Sequence, residues 1–432
     1  RGYYIWAEYQ DKRPNNWGSF FGGSVWEPDP NGGSEYYCHI FDKRMPDLNW
    51  KNPEVRKSMA DIAKFWIDKG VDGFRLDAFI HIAKANFGQN ILNQTEDYPV
   101  DSSFYANLPE VKLYLENFIK LVKTYKNDVF FLGEASSADA YQAAEYTRPD
   151  NFGCDMVVTS DNYGEEYPLK DPKIPMFFQP RQLSLKRLKE PFSIWEALLE
   201  NISLPALTWG NHDISRVLDR LHIDPKDSDL PKALAVCMYL QRGIPIIYYG
   251  EEIGMRNLKY KKLRDFRDQR ALDLIQFIQN QVYNDEKILE LLNQQDEMTA
   301  RGPLQWNAGK YVGFSNHHPW NWADHNEAAA DTAVKNDDGL FAFYRAVLKV
   351  KAQPLFSQGS YLLLETNSKI YAFERELNGK KAFVIVNFAD KVLKYHVPTL
   401  KVVHTLLSNK ASSLVDNVVT MEPAGSIVIE EK

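Results

Sequence analysis

The chain has 432 residues, a formal net charge of −7, and hydrophobic and charged fractions of 44% and 25%. This length predicts two or three domains with a sizeable core, and a large barrel with a small additional domain would fit. The acidic balance gives no general attraction to phosphate backbones, and no apolar run reaches the ~20 residues of a membrane span. We therefore expect neither nucleic acid nor a membrane as a partner.

The cysteines, Cys38, Cys154 and Cys237, are odd in number, widely spaced and without a CxxC pair. This pattern indicates neither a disulfide framework nor a zinc site. We expect buried thiols, and unpaired cysteines are also typical of the cytoplasm.

The first 50 residues are rich in Gly, Pro, Asn and aromatic side chains, and they keep neither a helical nor a strand period for long. They predict an irregular, loop-built subdomain. Regular structure begins at Asn52, which can cap a helix that has Pro53 at its first position and ends at Gly70. The apolar side chains expected on one face of this helix are Val55, Met59, Ile62, Ala63 and Trp66.

Helical segments then alternate with short apolar strands. The helical segments are PEVKLYLENFIKLVKTYKN, SIWEALLENIS and PKALAVCMYLQRG. The strands VDGFRLD, DVFFLGE, LPALTWGNHD and IPIIYYGEE end on the acids Asp77, Glu134, Asp213 and Glu251. This alternation predicts parallel βα units, and in a barrel of such units the active site is built where the strands end. CDMVV, residues 154–158, supplies a fifth strand of the eight that a closed barrel needs.

Residues 255–335 form a long polar stretch with one amphipathic portion, RALDLIQFIQNQV. The stretch is too long for a bare loop and predicts an excursion over the active face. After the helical segment DGLFAFYRAVLKVKAQ, the pattern changes to short strands, two of which are joined by Asn378 and Gly379 in a strong hairpin signal. Residues 355–432 therefore predict a C-terminal antiparallel β-sandwich.

The strand-end acids have distinct local settings. In GFRLD, alternate side chains share a face of the strand, so Arg75 and Asp77 project the same way. The guanidinium favours an ionised Asp77, which suits a nucleophile, whereas Glu134 follows the apolar VFFLG and is expected to stay protonated as a general acid. Retaining glycosidases divide labour between two carboxyl groups in this way.

The other strand ends are less specific. His212 and Asp213 offer a donor and an acceptor suited to sugar hydroxyls. Taken alone, each such acid has an alternative as an ion-pair partner or a helix cap. Glu251 and Glu252 fit the positive N-terminus of a following helix better than a catalytic role.

The chain resembles the α-amylase family of glycoside hydrolases, glycoside hydrolase family 13, over essentially its whole length. The motifs GFRLDAFIH, FLGEA and WGNHD carry the resemblance, in that order. It implies a (β/α)8 TIM barrel with an irregular B domain and a C-terminal β domain. It also implies that Asp77 is the nucleophile, Glu134 the acid and base, and Asp213 the transition-state stabiliser. Arg75 and His212 are then their neighbours in the substrate site.

MPDLNW is similar to a further short motif of the family, and RGPLQWN resembles a segment of its oligo-1,6-glucosidase and α-glucosidase branch. In the family the residue after the nucleophile relates to linkage, and the α-1,6-specific branch commonly has Val there. This chain has Ala78 and an amylase-like His81, so we expect cleavage of α-1,4 bonds, with α-1,6 bonds as the alternative. The alternative for His81 itself is a hydrogen bond to a neighbouring carbonyl. Arg216 matches an Arg of the α-glucosidase branch and is expected to help close the glucose-binding end, with a surface ion pair as its alternative.

The expected activity is that of a retaining exo-acting α-glucosidase on maltose and short maltooligosaccharides. One alternative is a glucosyltransferase or a trehalose-forming isomerase, because covalent retention permits both. Another is a non-catalytic, amylase-like binding or transporter-associated domain. The intact set of Asp77, Glu134 and Asp213 argues against it.

The predicted domains are a partial B domain at 1–50, a catalytic barrel at 51–354 and a β-sandwich at 355–432. The first three barrel strands, the first family motif and the usual divalent-ion loop are not seen in the sequence. Five strands alone would leave two unpaired edges and much exposed apolar surface. We therefore expect a companion N-terminal polypeptide or segment that completes the barrel.

The chemistry implied by the family needs no cofactor. A structural Ca2+ or Mg2+ is an option only in the part of the fold outside this chain, and no metal site is predicted within it. His317 and His318 lie in a polar stretch without the spacing of metal ligands. The branch resemblance favours the cytoplasm, with secretion as the alternative.

Overall fold

The computed structural model describes residues 1–8, 12–92, 94–159, 164–168, 170–279, 283–323, 329–398 and 403–431. The chain separates into two compact units. The first consists of Arg1–Asp161 with Ala197–Pro205, and the second of Asn162–Glu196 with Ala206–Lys432. The domain boundaries expected near residues 50 and 354 stay predictions.

The helices and strands of the described residues are numbered in chain order. The helices are α1 (Pro53–Ile67), α2 (Pro109–Lys123), α3 (Ala140–Tyr146), α4 (Leu185–Leu199), α5 (Val217–Arg220), α6 (Leu230–Tyr239), α7 (Gln269–Gln279), α8 (Asp285–Gln295), α9 (Ala330–Ala333), α10 (Leu340–Lys351) and α11 (Pro354–Ser357). The strands are β1 (Trp6–Glu8), β2 (Trp26–Pro28), β3 (Glu35–Cys38), β4 (Gly73–Leu76), β5 (Phe130–Glu134), β6 (Met156–Val158), β7 (Glu165–Glu166), β8 (Gln182–Leu183), β9 (Ala206–Leu207), β10 (Ile244–Pro245), β11 (Ser360–Leu363), β12 (Ile370–Leu377), β13 (Lys380–Asn387), β14 (Leu393–His396), β15 (Val403–Ser408), β16 (Ser412–Val415), β17 (Val418–Met421) and β18 (Ser426–Glu431).

The first unit opens with a small antiparallel sheet in the order β1–β3–β2. Trp17 and Trp26 are fully buried in the aromatic core beside it. These three short strands were not predicted, and the expectation of an irregular, loop-built subdomain at 1–50 stays a prediction. Strands of three or four residues are too short to show a period in a sequence that is this rich in Gly and Pro.

A parallel sheet in the order β4–β5–β6 follows in the first unit. Asn52 caps α1 as predicted, because its side chain accepts a hydrogen bond from the Glu54 N–H at 3.0 Å. The buried residues of α1 are Val55, Ala60 and Ala63, whereas the predicted Ile62 and Trp66 are about half exposed. Hydrophobicity alone did not identify which of two overlapping apolar faces is buried.

The second unit contains the parallel pair β9 and β10, with Ala206 opposite Ile244. All five predicted barrel strands are thus present, as β4, β5 and β6 in the first unit and β9 and β10 in the second. The excursion at 255–335 contains α7 and also α8, which the sequence analysis missed. The side chain of Asn284 caps α8 by accepting from the Lys287 N–H at 3.0 Å. Residues 280–282, the end of the predicted amphipathic portion, lie outside the described residues.

The C-terminal strands form two antiparallel sheets, in the orders β11–β12–β13–β18–β15 and β14–β17–β16. Alternate residues of β13 face two cores: Val384 lies in one with α6 and α10, and Ile385 lies in the other with Val419 of the smaller sheet. The predicted hairpin is confirmed, since Asn378 and Gly379 both have positive φ, at 53° and 79°. This arrangement has the two antiparallel sheets expected of a sandwich.

The three cysteines are buried and unbridged, as expected, and burial raises the pKa of each thiol. No helix in the described part of the chain is long and apolar enough to cross a membrane.

Candidate active site

The ends of β4 and β5 bring two predicted carboxyl groups to one guanidinium in the first unit. Arg75 donates to the Asp77 carboxylate and, through its second terminal nitrogen, to Glu134 Oε2 at 2.6 Å. The backbone N–H of Ala78 donates to the same Glu134 oxygen at 3.2 Å. Parallel pairing of Leu76 with Gly133 explains why the next residues along each strand meet.

Gly133 and Ala78 make this local geometry possible. A Cβ at Gly133 would lie 2.6 Å from the Phe79 ring and 3.0 Å from the Cys154 sulfur, so only glycine allows β5 to reach Glu134 along this path. Ala78 has left-handed backbone angles, φ 42° and ψ 30°, which turn the chain sharply after Asp77.

The two carboxyl groups have different environments. The side chain of Asp77 is 74% exposed and that of Glu134 is 16% exposed. Burial raises the pKa of Glu134 to about 7, and its hydrogen bond with Asp77 adds to the rise, whereas Arg75 and the Ala78 N–H oppose it. Glu134 is therefore substantially protonated near neutral pH, and its proton can be donated.

Asp213 and His212 lie together after β9 in the second unit. The Asp213 N–H donates to Asn211 Oδ1 at 2.8 Å, which closes the turn that presents its carboxylate. His212 Nε2 lies 3.3 Å from Asp213 Oδ2, and both side chains are accessible to solvent. A donor and an acceptor thus lie side by side, and their binding of sugar hydroxyls stays a prediction.

Arg301 was missed by the sequence analysis. Its Nη2 donates to Asp213 Oδ1 at 3.1 Å, and its Nε donates to the carbonyl oxygen of His212 at 2.6 Å. The only sequence signal was that the family-like segment RGPLQWN begins with this residue. The contact spans 88 positions, and no local pattern predicts it.

Arg216 is buried rather than placed in a surface ion pair. It donates to the carbonyl oxygens of Tyr249 at 2.8 Å and Ala300 at 3.0 Å, and it lies over the Tyr248 and Tyr249 rings. In the second unit it therefore supports the backbone next to Arg301. The expected role in closing the glucose-binding end stays a prediction.

His81 and Ala78 both have a structural explanation in the first unit. The Nδ1–H of His81 donates to the Tyr105 carbonyl oxygen at 2.8 Å, and its ring packs against Phe20 and Phe41. Burial lowers the pKa of His81, so it stays a neutral core side chain. The hydrogen bond to the Tyr105 carbonyl oxygen is the alternative that the sequence analysis left open for His81. The left-handed backbone accounts for a small residue at position 78.

Glu251, the fourth strand-end acid, is a core group. It is buried and accepts hydrogen bonds from the hydroxyls of Tyr239 and, at 2.8 Å, Tyr344. Burial raises its pKa to about 7. Within the described residues, no group of three or more His, Cys, Asp or Glu side chains is placed to hold a metal ion.

Comparisons with known proteins bear on the whole chain. The family model "Alpha amylase, catalytic domain" matches residues 1–359. An oligo-1,6-glucosidase of Bacillus cereus is 32% identical over 405 residues, which cover 92% of this chain and 71% of that protein. A trehalose-6-phosphate hydrolase of Bacillus subtilis (strain 168) is 32% identical over 406 residues, covering 92% and 70%.

Solved structures are also similar to this chain over its whole length. A family GH13_31 enzyme is 39% identical with a TM-score of 0.87, and the match covers 100% of this chain and 77% of that one. The trehalose-6-phosphate hydrolase of Bacillus licheniformis is 30% identical with a TM-score of 0.88, covering 100% and 78%.

These matches bear on two expectations about completeness. Each relative matches this chain within one continuous polypeptide, so the comparisons give no support to a companion polypeptide. The expectation that barrel strands are missing is likewise not confirmed.

Hydrolases of the matched family need no cofactor for catalysis. The family match over residues 1–359, together with relatives at more than 30% identity, settles the class of protein. This chain belongs to the α-amylase family of glycoside hydrolases.

Proposed function

We propose that this chain is a retaining α-glucosidase that cleaves α-1,6 bonds of short glucosides, with Asp77 as nucleophile and Glu134 as acid and base. The observation that carries the proposal is the shared guanidinium of Arg75. It contacts an exposed carboxylate and a buried carboxyl group whose pKa is raised to about 7. One acid is thereby suited to attack and the other to donate a proton.

In the first step, an oxygen of the Asp77 carboxylate bonds to the anomeric carbon as the glycosidic C–O bond breaks. Glu134 gives its proton to the leaving oxygen, so the sugar leaves as a neutral alcohol. In the second step, the ionised Glu134 takes a proton from water, and the water oxygen displaces Asp77 from the anomeric carbon. Two inversions give net retention.

Asp213 and His212 have a separate role in this proposal. Their exposed carboxylate and imidazole bind sugar hydroxyls, and we assign Asp213 to contacts that strengthen as the oxocarbenium-like transition state forms. Arg301 supports the proposal because it fixes one oxygen of Asp213 and leaves the other beside His212.

The proposed α-1,6 linkage replaces the α-1,4 expectation. The relatives described above include an oligo-1,6-glucosidase, and glucan 1,6-α-glucosidases of Streptococcus match at 29–32% identity. Ala78 and His81, which suggested α-1,4 bonds, have structural explanations in the backbone angle and the Tyr105 carbonyl bond. They carry little weight for linkage.

The test is hydrolysis of isomaltotriose and maltotriose by the purified chain, with the anomer of the released glucose followed by NMR. We expect faster hydrolysis of isomaltotriose and initial release of α-glucose. Faster cleavage of maltotriose would contradict the linkage, initial β-glucose would contradict retention, and absence of hydrolysis would contradict the function. The control is Asp72→Asn, which alters an exposed ion pair with Lys126 just before β4 and should leave the rates unchanged.

A further inference from the structure

We propose that Glu297 is a positioning residue for this reaction, because it fixes Arg301 and Arg301 in turn holds Asp213. The inference rests on the function proposed above. It gives the excursion at 255–335 an indirect part in catalysis, because neither Glu297 nor Arg270, which supports it, is expected to touch substrate.

One nitrogen atom joins the two carboxylates. Arg301 Nη2 donates to Glu297 Oε1 at 2.9 Å and to Asp213 Oδ1 at 3.1 Å. The second oxygen of Glu297, Oε2, accepts from Arg270 Nη1 at 2.7 Å. Arg270, Glu297, Arg301 and Asp213 therefore form a row of alternating charges in which each middle member has a partner on both sides.

The two middle members of the row are less exposed to solvent than the two end members. The side chain of Glu297 is 14% exposed, and that of Arg301 is 28% exposed. Charges in such surroundings are weakly screened, so the orientation of each pair has a larger effect than it would at the surface. Without Glu297, Arg301 would keep one carboxylate partner in place of two and would gain rotamer freedom.

The backbone that carries Arg301 is already fixed by other groups. Glu297 and Arg301 lie at the two ends of one 3-10 helix, Glu297–Arg301. Each carbonyl oxygen from Met298 to Ala300 accepts a hydrogen bond from outside this helix. The donors are, in order, Asn321 Nδ2 at 2.8 Å, the Leu258 N–H at 2.8 Å and Arg216 Nη2 at 3.0 Å. Loss of the Glu297 charge should therefore disturb the Arg301 side chain more than the path of the chain.

Because the backbone is fixed independently of Glu297, a substitution of Glu297 should have a specific effect on the kinetic constants. A group that acts only through Asp213 should affect the transition state more than the bound ground state, so kcat should fall while KM changes little. We expect Glu297→Gln to lower kcat about tenfold and to change KM by less than about twofold, a loss in the range of one charge-assisted hydrogen bond. Glu297→Asp, which keeps the charge, should recover part of the loss.

The matched control is Glu290→Gln. Glu290 lies on α8 in the same excursion and forms an exposed pair with Lys287 at 2.8 Å, so its loss should leave kcat unchanged. Thermal unfolding of both variants checks the fold. A Glu297→Gln variant with unchanged kcat, in an active wild-type background, would overturn the proposal.

A double-mutant cycle tests whether Glu297 acts through Arg301. In an Arg301→Gln background, Glu297→Gln should cause no further loss of kcat, because the group that transmits its effect is gone. An equal loss in both backgrounds would overturn the proposal in favour of a general structural role. A wild-type chain without glucosidase activity would overturn both this inference and the proposed function, whereas an unaffected Glu297→Gln variant of an active enzyme overturns this one alone.

Discussion

Arg75 and Glu134 are joined by a charge-assisted hydrogen bond, with 2.6 Å between Nη2 and Oε2, yet the pKa of Glu134 is raised to about 7. The positive charge opposes this rise, and burial together with the neighbouring Asp77 outweighs it. A general acid in an active site needs this balance, because a pKa near the working pH allows both donation and recovery of the proton.

Removal of the Arg75 charge should move the pH profile in a defined direction. Arg75 lowers the pKa of Glu134, so Arg75→Gln should raise it and shift the basic limb of kcat/KM to higher pH. We also expect activity to fall about tenfold or more, because Asp77 loses its charged partner. Initial rates between pH 5 and 9 check this, with Arg44→Gln, an 85% exposed side chain, as control. A basic limb that moves to lower pH would contradict the assignment.

Glu134→Gln should remove that basic limb. In the wild type, kcat/KM should decline above about pH 7 as the Glu134 proton is lost. The variant should lose about 100- to 10,000-fold of its rate on isomaltotriose, the usual contribution of general acid–base catalysis, and less on an aryl glucoside with a good leaving group. The exposed Glu110→Gln variant should resemble the wild type. Equal losses on both substrates would argue against proton donation by Glu134.

Ala78 should be sensitive to side-chain branching. Its backbone is left-handed, where a Cβ costs about 1–2 kcal/mol, so Ala78→Gly should relieve that cost and Ala78→Val, which is branched at Cβ, should be the less stable of the two variants. Denaturant unfolding of the two variants measures the difference. If Ala78→Val proves as stable as Ala78→Gly, the turn after Asp77 is not the one described.

Glu251 should make stability depend on pH. Its pKa rises from 4.5 to about 7 on folding, so the folded state holds a proton that the unfolded state releases in that window. Stability therefore falls as pH increases from about 4.5 to 7, by up to about 3 kcal/mol. The Glu251→Gln variant should lose this dependence of stability on pH, and it should be more stable relative to the wild type above pH 7 than below it.

The free energies of unfolding of the wild type and of Glu251→Gln are measured in urea at pH 5 and at pH 8. The exposed Glu286→Gln variant should keep the wild-type slope. A Glu251→Gln variant with the full wild-type slope would show that another group carries the pH dependence.

Local sequence patterns predicted much of the scaffold. The alternation in GFRLD placed Arg75 and Asp77 at one strand end, and the apolar run before Glu134 predicted its burial. The Asn52 cap and the Asn378–Gly379 turn were likewise predictable, because each depends on the chemistry of a few adjacent residues.

The features that were missed depend on distant contacts. Nothing near Arg301 in the sequence indicates that it reaches Asp213, and nothing near Glu251 indicates that Tyr239 and Tyr344 bury it. A carboxylate at a strand end looks the same in the sequence whether it faces substrate or the core. Only the packing of the other helices separates the two.

The central claim is that Asp77 forms a covalent bond to glucose. The most direct measurement is intact and peptide mass spectrometry after incubation with a fluorinated α-glucosyl fluoride, which slows release of the sugar from the enzyme. We predict one fluoroglucosyl group on the peptide that contains Asp77, and none on the Asp77→Asn variant. A label on Glu134 or on another carboxylate would contradict the account.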